Sequence, residues 1–345
     1  MKSTTVNLDA DKARGSRRDR LPWLDYAKGI GIILVVVGHT LRSLMNAAVI
    51  AETLPYEIVD RWIYAFHMPL FFFLSGLLLP KSFAKNLTTV LGKKAKTILY
   101  PFLLWSFIQG AIQLALSNYT NGDFTGRNLL LAPFIPIQQF WFLYALFGIT
   151  VIFLLAAKLG IKGYQMLLIS ALIFFALPWV SLPHWTLSII LSNLIYVAAG
   201  IFVAASSGLA LLNQGAQRVK GTLLGAIAIA AGSIIYASVR AVAQFNPLGE
   251  LSLAALGIVM VLAVSLVLAR RRAFSEIERY GQFSLEIFVA HTIASAGCRI
   301  VLDKLLGIDA VFVHLLLGIV VGIYVPILLR QGVDRLGFKY MFVYP

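Results

Sequence analysis

Apolar runs of about twenty residues recur along the chain, separated by short polar stretches. By their edges, ten such runs occupy residues 24–48, 58–80, 97–117, 138–157, 164–180, 186–206, 221–240, 249–269, 282–301 and 310–329. Most are long enough to cross a hydrocarbon core as helices rising about 1.5 Å per residue. The two-residue alternation of a membrane barrel is missing from the sequence, and helices are the other way to satisfy backbone groups in lipid. The pattern predicts an all-α, polytopic transmembrane helical bundle of about ten spans.

The polar intervals orient it. Lys and Arg crowd alternate intervals: the N-terminal stretch with Arg14, Arg17 and Arg18, the second loop with Lys81, Lys93 and Lys94, the fourth with Lys158 and Lys162, the sixth with Arg218 and Lys220, the eighth with Arg270, Arg271 and Arg272, and the C-terminal stretch with Arg330 and Arg335. The intervening loops carry few. This alternation predicts that both termini are cytoplasmic. Trp23, Trp62, Trp179 and Trp185 fall near span ends, where an aromatic belt would sit. No internal repeat of clear period appears. The expected organisation is a basic cytoplasmic tail at 1–20, one membrane domain at 21–330 and a short cytoplasmic tail at 331–345.

Composition agrees with this picture and removes alternatives. Of 345 residues, 59% are hydrophobic and 13% charged, with mean hydropathy +0.85, far from a soluble domain. The net charge of +14 is accounted for by the inside loops, so nucleic acid is not an expected partner, whereas membrane lipids are. One cysteine, Cys298, excludes an internal disulfide framework. No cluster has metal-ligand spacing, and no metal is expected. The first apolar run lacks a small-residue cleavage site soon after it, so a removable signal peptide is not expected. The integral, multi-pass reading places the protein in a bacterial inner (plasma) membrane; the sequence leaves its oligomeric state open.

Against this apolar background a few residues carry chemistry. Lys28 and His39 lie eleven positions apart in the first span, AKGIGIILVVVGHT. At about 100° per residue that is three turns plus roughly 20°, so both occupy one helix face, about 16 Å apart along the axis. Asp25 is placed to pair with Lys28. Alone, Lys28 reads equally as an interface lysine extending to the headgroups. His39, past the midplane, is costlier to explain in that way, because ionisable groups at that depth face a bundle interior or an aqueous cavity. His67, in RWIYAFHMPLFFFLSG, approaches a similar depth from the opposite direction, and the short connection favours adjacency of the two spans. Its plain alternative is a histidine bonded to a helix backbone. Phe72, Ser75 and Gly76 are by default packing residues. Two histidines can supply a base and a second proton-handling group.

Taken in order, LDYAKGIGIILVVVGHT, FHMPLFFFLSG, the WFL at Trp141–Leu143 and GQFSLEIFVAHT at Gly281–Thr292 resemble the membrane-bound acyltransferase-3 family, in particular its branch related to fucose 4-O-acetylases. That family carries a basic residue, ten intervening positions and a histidine in its first span, here Lys28 and His39. Many relatives have arginine at the first of these; lysine keeps the charge without the bidentate fork, so a phosphate there meets a point charge. The resemblance implies transfer of a short acyl group, acetyl by default, from cytoplasmic acyl-CoA to a hydroxyl of a cell-surface glycan or lipid-linked sugar. Larger relatives append an extracytoplasmic domain, and a chain without one is expected to deliver the acyl group itself or to a partner.

On that reading the catalytic set is His39 as general base, Lys28 orienting the donor and His67 as second histidine. Asp25, Phe72, Ser75, Gly76, Trp141, Glu286 and His291 are the substrate-binding candidates, with acyl-CoA as co-substrate and no permanently bound cofactor. Glu286 is placed to pair with Lys28 or another cation, while Ser284 and His291 share a face. Arg42 and Arg61, at the outer boundary, suit an anionic headgroup or glycan; His184 and His314 read as structural. A polytopic transporter is the competing class, but it would be expected to show repeat symmetry and broken helices in matching halves.

Overall fold

The computed structural model describes residues 21–51, 53–115, 124–206, 208–242, 244–342 and 344. Among these residues there is no strand, and nine helical segments are long and apolar enough to cross a membrane: Pro22–Asn46, Leu54–Ser82, Leu87–Ala115, Gln138–Lys158, Trp185–Ala205, Gly221–Ala241, Pro247–Arg271, Ser284–Leu305 and Val311–Arg335. A further apolar segment, Gly163–Trp179, is shorter and is the fifth of the ten runs seen in the sequence. The chain is an integral, multi-pass helical membrane protein. The expected N-terminal tail lies outside the described residues, and the last helix runs on to Arg335.

In chain order the α-helices are α1 (Pro22–Asn46), α2 (Leu54–Tyr64), α3 (His67–Leu78), α4 (Leu87–Lys94), α5 (Tyr100–Ala115), α6 (Gly126–Leu131), α7 (Trp141–Lys158), α8 (Gly163–Ala176), α9 (Trp185–Ala205), α10 (Gly208–Arg218), α11 (Gly221–Ala241), α12 (Pro247–Arg271), α13 (Ser275–Gln282), α14 (Ser284–Ile300) and α15 (Val311–Arg335). Their ends follow familiar chemistry. Pro22 opens α1, where its missing N–H costs nothing, and Asp25 faces the positive helix start. Asn86 and Asn246 cap α4 and α12 by accepting from backbone N–H groups, and His184 does the same for α9.

Helix α1 is the hub. It packs against α3, α12, α13, α14 and α15, and two apolar clusters flank it. Ile32, Val35 and Val36 face one of them, with Phe72, Phe142 and Phe288; Trp23, Leu24 and Ala27 face the other, with Leu70, Phe73 and Val261. Glycines allow the tightest approaches. A Cβ on Gly29 would strike the Ile277 carbonyl, and one on Gly281 the Asp25 carbonyl. The short helix α13, which the sequence pattern left inside a basic loop, is thereby pressed backbone to backbone onto the start of α1.

Two expectations change in detail. The run 58–80 is not one helix: it breaks at Ala65–Phe66, between α2 and α3. Pro69 has no N–H for the Ala65 carbonyl, and its ring excludes a regular turn there. Phe66, at 0% exposure, swings into space left by Gly257 of α12, where a Cβ would overlap its ring. The tryptophans also divide. Trp179 and Trp185 are exposed as a belt requires, but Trp23 is 3% exposed and donates to Asn213 Oδ1 at 2.9 Å. It ties α1 to α10 instead of facing lipid, and Trp62 donates likewise to the Gly232 carbonyl of α11.

Candidate active site

Because α1 is unbroken from Pro22 to Asn46, the spacing of Lys28 and His39 translates directly into one stripe along the hub helix. Lys28 Nζ lies 3.7 Å from Asp25 Oδ1, the i, i+3 pair anticipated from sequence. Three turns further on, His39 has its ring partly open.

His39 does not stand alone. Its ring meets that of His291, on α14, with centroids 5.2 Å apart at 63°. Tyr64, the last residue of α2, presents its ring at 6.3 Å from His39 and 4.5 Å from His67. Thus His67 reaches His39 only through Tyr64, while His291 is the direct neighbour. Both outer histidines are sealed, at 1% for His67 and 0% for His291. His67 Nδ1 donates to the Ile63 carbonyl at 2.8 Å, and His291 Nδ1 to the carbonyls of Ile287 and Phe288 at 3.0 and 2.9 Å. A carbonyl can only accept, so the proton sits on Nδ1 in each ring and Nε2 carries a lone pair. Both Nε2 atoms, and the Tyr64 hydroxyl, lack a hydrogen-bond partner among the described residues. Buried polar atoms seldom go unpaired, and three gathered at one place call for an explanation, which makes this cluster a candidate site.

An ion pair buttresses the cluster. Arg42, one turn beyond His39, grips Asp60 of α2 with Nε and Nη2 at 2.6 and 2.8 Å, and its Cζ lies 3.2 Å from the centroid of the Tyr64 ring. A cavity of about 420 Å³ opens beside it, at the end of the bundle away from the basic loops. Arg42, Asp60, Tyr64, Trp141, Asn193 and Glu250 are among the residues that line it. Arg61, also on its wall, is turned to the carbonyls of Glu57 and Val242.

The remaining candidates separate into groups. Phe72 is wholly buried, with Phe142 at 4.8 Å and Trp141 at 6.2 Å; Phe142 continues to Phe288 at 5.4 Å. This aromatic wall stands beside the Lys28–His39 stripe. Ser75 donates to its own helix at the Phe71 carbonyl, and Gly76 meets the backbone of Val197 and Gly200, so the small pair carries the crossing of α3 and α9. Glu286 sits 3.9 Å from Arg330 of α15, not beside Lys28. The two histidines read as structural have backbone work: His184 caps α9, and His314 Nε2 bonds the Ile308 carbonyl at 2.6 Å.

Sequence reasoning passed over Tyr64 and a buried amide network. Gln139 Nε2 donates to Gln109 Oε1 at 2.8 Å and to Thr292 Oγ1 at 2.9 Å, and Thr292 donates to Gln109 at 2.8 Å. The network joins α5, the turn just before α7, and α14 next to His291. The available signal was two glutamines in apolar segments, which in lipid call for partners. Among the described residues, no three His, Cys, Asp or Glu side chains group as a metal set.

Comparison with known proteins identifies the family. The model of the acyltransferase-3 family, described as an acyltransferase domain, matches residues 21–331. The chain belongs to that family. It is 35% identical over 125 residues to Nodulation protein NolL of Mesorhizobium japonicum, covering 36% of this chain and 32% of the relative. With Nodulation protein NolL of Sinorhizobium fredii the identity is 31% over 155 residues, or 45% and 41% of the two chains. With Inner membrane protein YcfT of Escherichia coli it is 24% over 205 residues, or 53% and 56%. The matches thus cover about a third to just over half of these relatives' lengths. No solved structure matches the chain. The histidine cluster therefore lies inside an acyltransferase domain, with His39 on its hub helix.

Proposed function

We propose that the protein is a membrane O-acyltransferase that moves a short acyl group, acetyl in the simplest case, from cytoplasmic acyl-CoA to a hydroxyl of a cell-surface or lipid-linked sugar. The observation that carries this reading is the position of His39: partly exposed, beside His291, separated from the outer cavity by Tyr64, which lines it, and on one stripe with Lys28. The donor's phosphates stay at the basic end near Lys28, and its pantetheine arm follows the stripe and its aromatic wall for about 16 Å. The acceptor enters the cavity from the opposite end, with Trp141 as a surface for the sugar ring. The words "inner membrane" in the name of the E. coli relative support a bacterial plasma membrane.

A sugar hydroxyl is a poor nucleophile until a base takes its proton. His39 takes it as the hydroxyl oxygen attacks the thioester carbon. The tetrahedral intermediate then collapses, the carbon–sulfur bond breaks, and His39 returns the proton to the thiolate. An acyl-histidine route is the alternative chemistry at the same residue.

Membrane vesicles from a producing strain, given radiolabelled acetyl-CoA, test the reading through label in glycan. Wild-type vesicles should incorporate it and His39→Ala vesicles with equal protein should not. Unchanged incorporation in the variant ends the proposal. Label trapped on His39 in an acceptor-free, acid-quenched single turnover would replace direct transfer by the acyl-enzyme route.

A further inference from the structure

Resting on that reading, we propose that Tyr64 is the oxyanion donor of the transfer: its phenolic O–H hydrogen-bonds the thioester carbonyl oxygen as charge develops there. Three observations converge on the hydroxyl. It is buried with no hydrogen-bond partner among the described residues, which is costly in a folded protein and calls for a reason. It lies next to the base. A Cβ on Gly38 would come within 3.0 Å of Tyr64 Cε2 and 3.6 Å of Cζ, so the missing side chain of the residue before His39 is what lets the phenol end settle there. And it is polarised. The Arg42 guanidinium lies over the ring as a stacked cation and interacts with the phenol, while its Nε and Nη2 bond Asp60. Positive charge over the ring face draws density from the oxygen and strengthens O–H as a donor.

The break at Ala65–Phe66 gives the local reason. Ending α2 at Tyr64 leaves that side chain at a helix terminus between His39 and His67, not held in a continuous turn. In the reaction, attack of the acceptor oxygen forms the new carbon–oxygen bond and moves the carbonyl π pair onto oxygen. The hydroxyl proton passes to His39, while Tyr64 keeps its own proton and donates a hydrogen bond to the oxyanion. Collapse returns the pair, expels the thiolate, and His39 protonates the sulfur.

The test is Tyr64→Phe in the full-length protein, in the same vesicles with radiolabelled acetyl-CoA, together with the melting midpoint of the purified variant. The ring, its cation and its packing stay, and only the unpartnered oxygen goes. The turnover rate should fall about 10²–10³-fold, with the half-saturating acetyl-CoA concentration within about threefold of wild type and a melting midpoint no lower than wild type. A rate within threefold of wild type overturns the proposal. So does a rate loss accompanied by a lower midpoint, because the hydroxyl would then hold the fold. Wild-type vesicles that transfer no label would defeat the acyltransferase reading itself, a separate outcome.

Discussion

His39 of α1 and His291 of α14 hold their rings 5.2 Å apart, edge toward face, at the heart of the bundle. His39 is partly exposed, and His291 is sealed. His291 is fixed by two backbone carbonyls in the tautomer that leaves a lone pair on Nε2, and in the proposed mechanism it would steady the imidazolium formed on His39. The pair is therefore expected to act as a unit. His39→Ala should lower label incorporation about 10²–10⁴-fold, the range for one lost acid–base group. His291→Asn should lower it about 10–100-fold. The double variant should be no worse than His39→Ala alone, as for residues that serve one step. Multiplying losses, measured as rates in the vesicle assay, would show that the rings work independently.

Trp141 and Phe72 stand 6.2 Å apart, but only Trp141 reaches the cavity wall. Trp141→Ala removes a stacking surface for the acceptor while the donor stripe on α1 stays intact. The half-saturating concentration of acceptor should rise about tenfold, which corresponds to about 1.4 kcal/mol, with acetyl-CoA dependence unchanged. Trp141→Phe should recover part of the loss. An equal effect on both substrates would place Trp141 in the fold instead of the acceptor site.

The seat of α1 against α13 offers a stability test. Gly29 faces the Ile277 carbonyl and Gly281 the Asp25 carbonyl, both rigid backbone, so Gly29→Ala and Gly281→Ala each force the helices apart. Overpacking of this kind costs about 1–3 kcal/mol, and the melting midpoint of the purified protein should fall. Gly297→Ala is the control: nothing lies within 4 Å of its Cβ position, and alanine favours a helix interior by up to about 1 kcal/mol. Its midpoint should stay level or rise.

What could be read from the sequence follows a physical line. The Lys28–His39 stripe was legible because it needs one unbroken helix, and α1 is that helix. The pairing of Asp25 with Lys28 was legible for the same local reason. The partnership of His39 with His291 was not, since it depends on α14 packing against α1 across some 250 residues of chain. Glu286 was expected near Lys28 or another cation, and only the packing of α15 selects Arg330. The break before His67 left a trace in Pro69, yet a smooth apolar profile hid it. Tyr64 left none, because a tyrosine near a span end is ordinary until its unpaired hydroxyl is seen beside a base.

Lys28 itself gives the last test. It lies about 16 Å from His39 along α1, too far to touch the reacting atoms, and it is paired with Asp25. Its proposed task is to meet a donor phosphate, so removing its charge should affect donor binding more than turnover. Lys28→Met is expected to raise the half-saturating acetyl-CoA concentration about tenfold, with the saturated rate within about threefold of wild type. Lys28→Arg should restore binding, since arginine adds a bidentate fork to the same charge. The effect should shrink as salt is raised, because a partly exposed charge is screened within a Debye length of about 10 Å at 0.1 M. Initial rates in vesicles at two salt concentrations measure all three. A variant that loses the saturated rate while its donor dependence is unchanged would move Lys28 from holding the donor to supporting the chemistry.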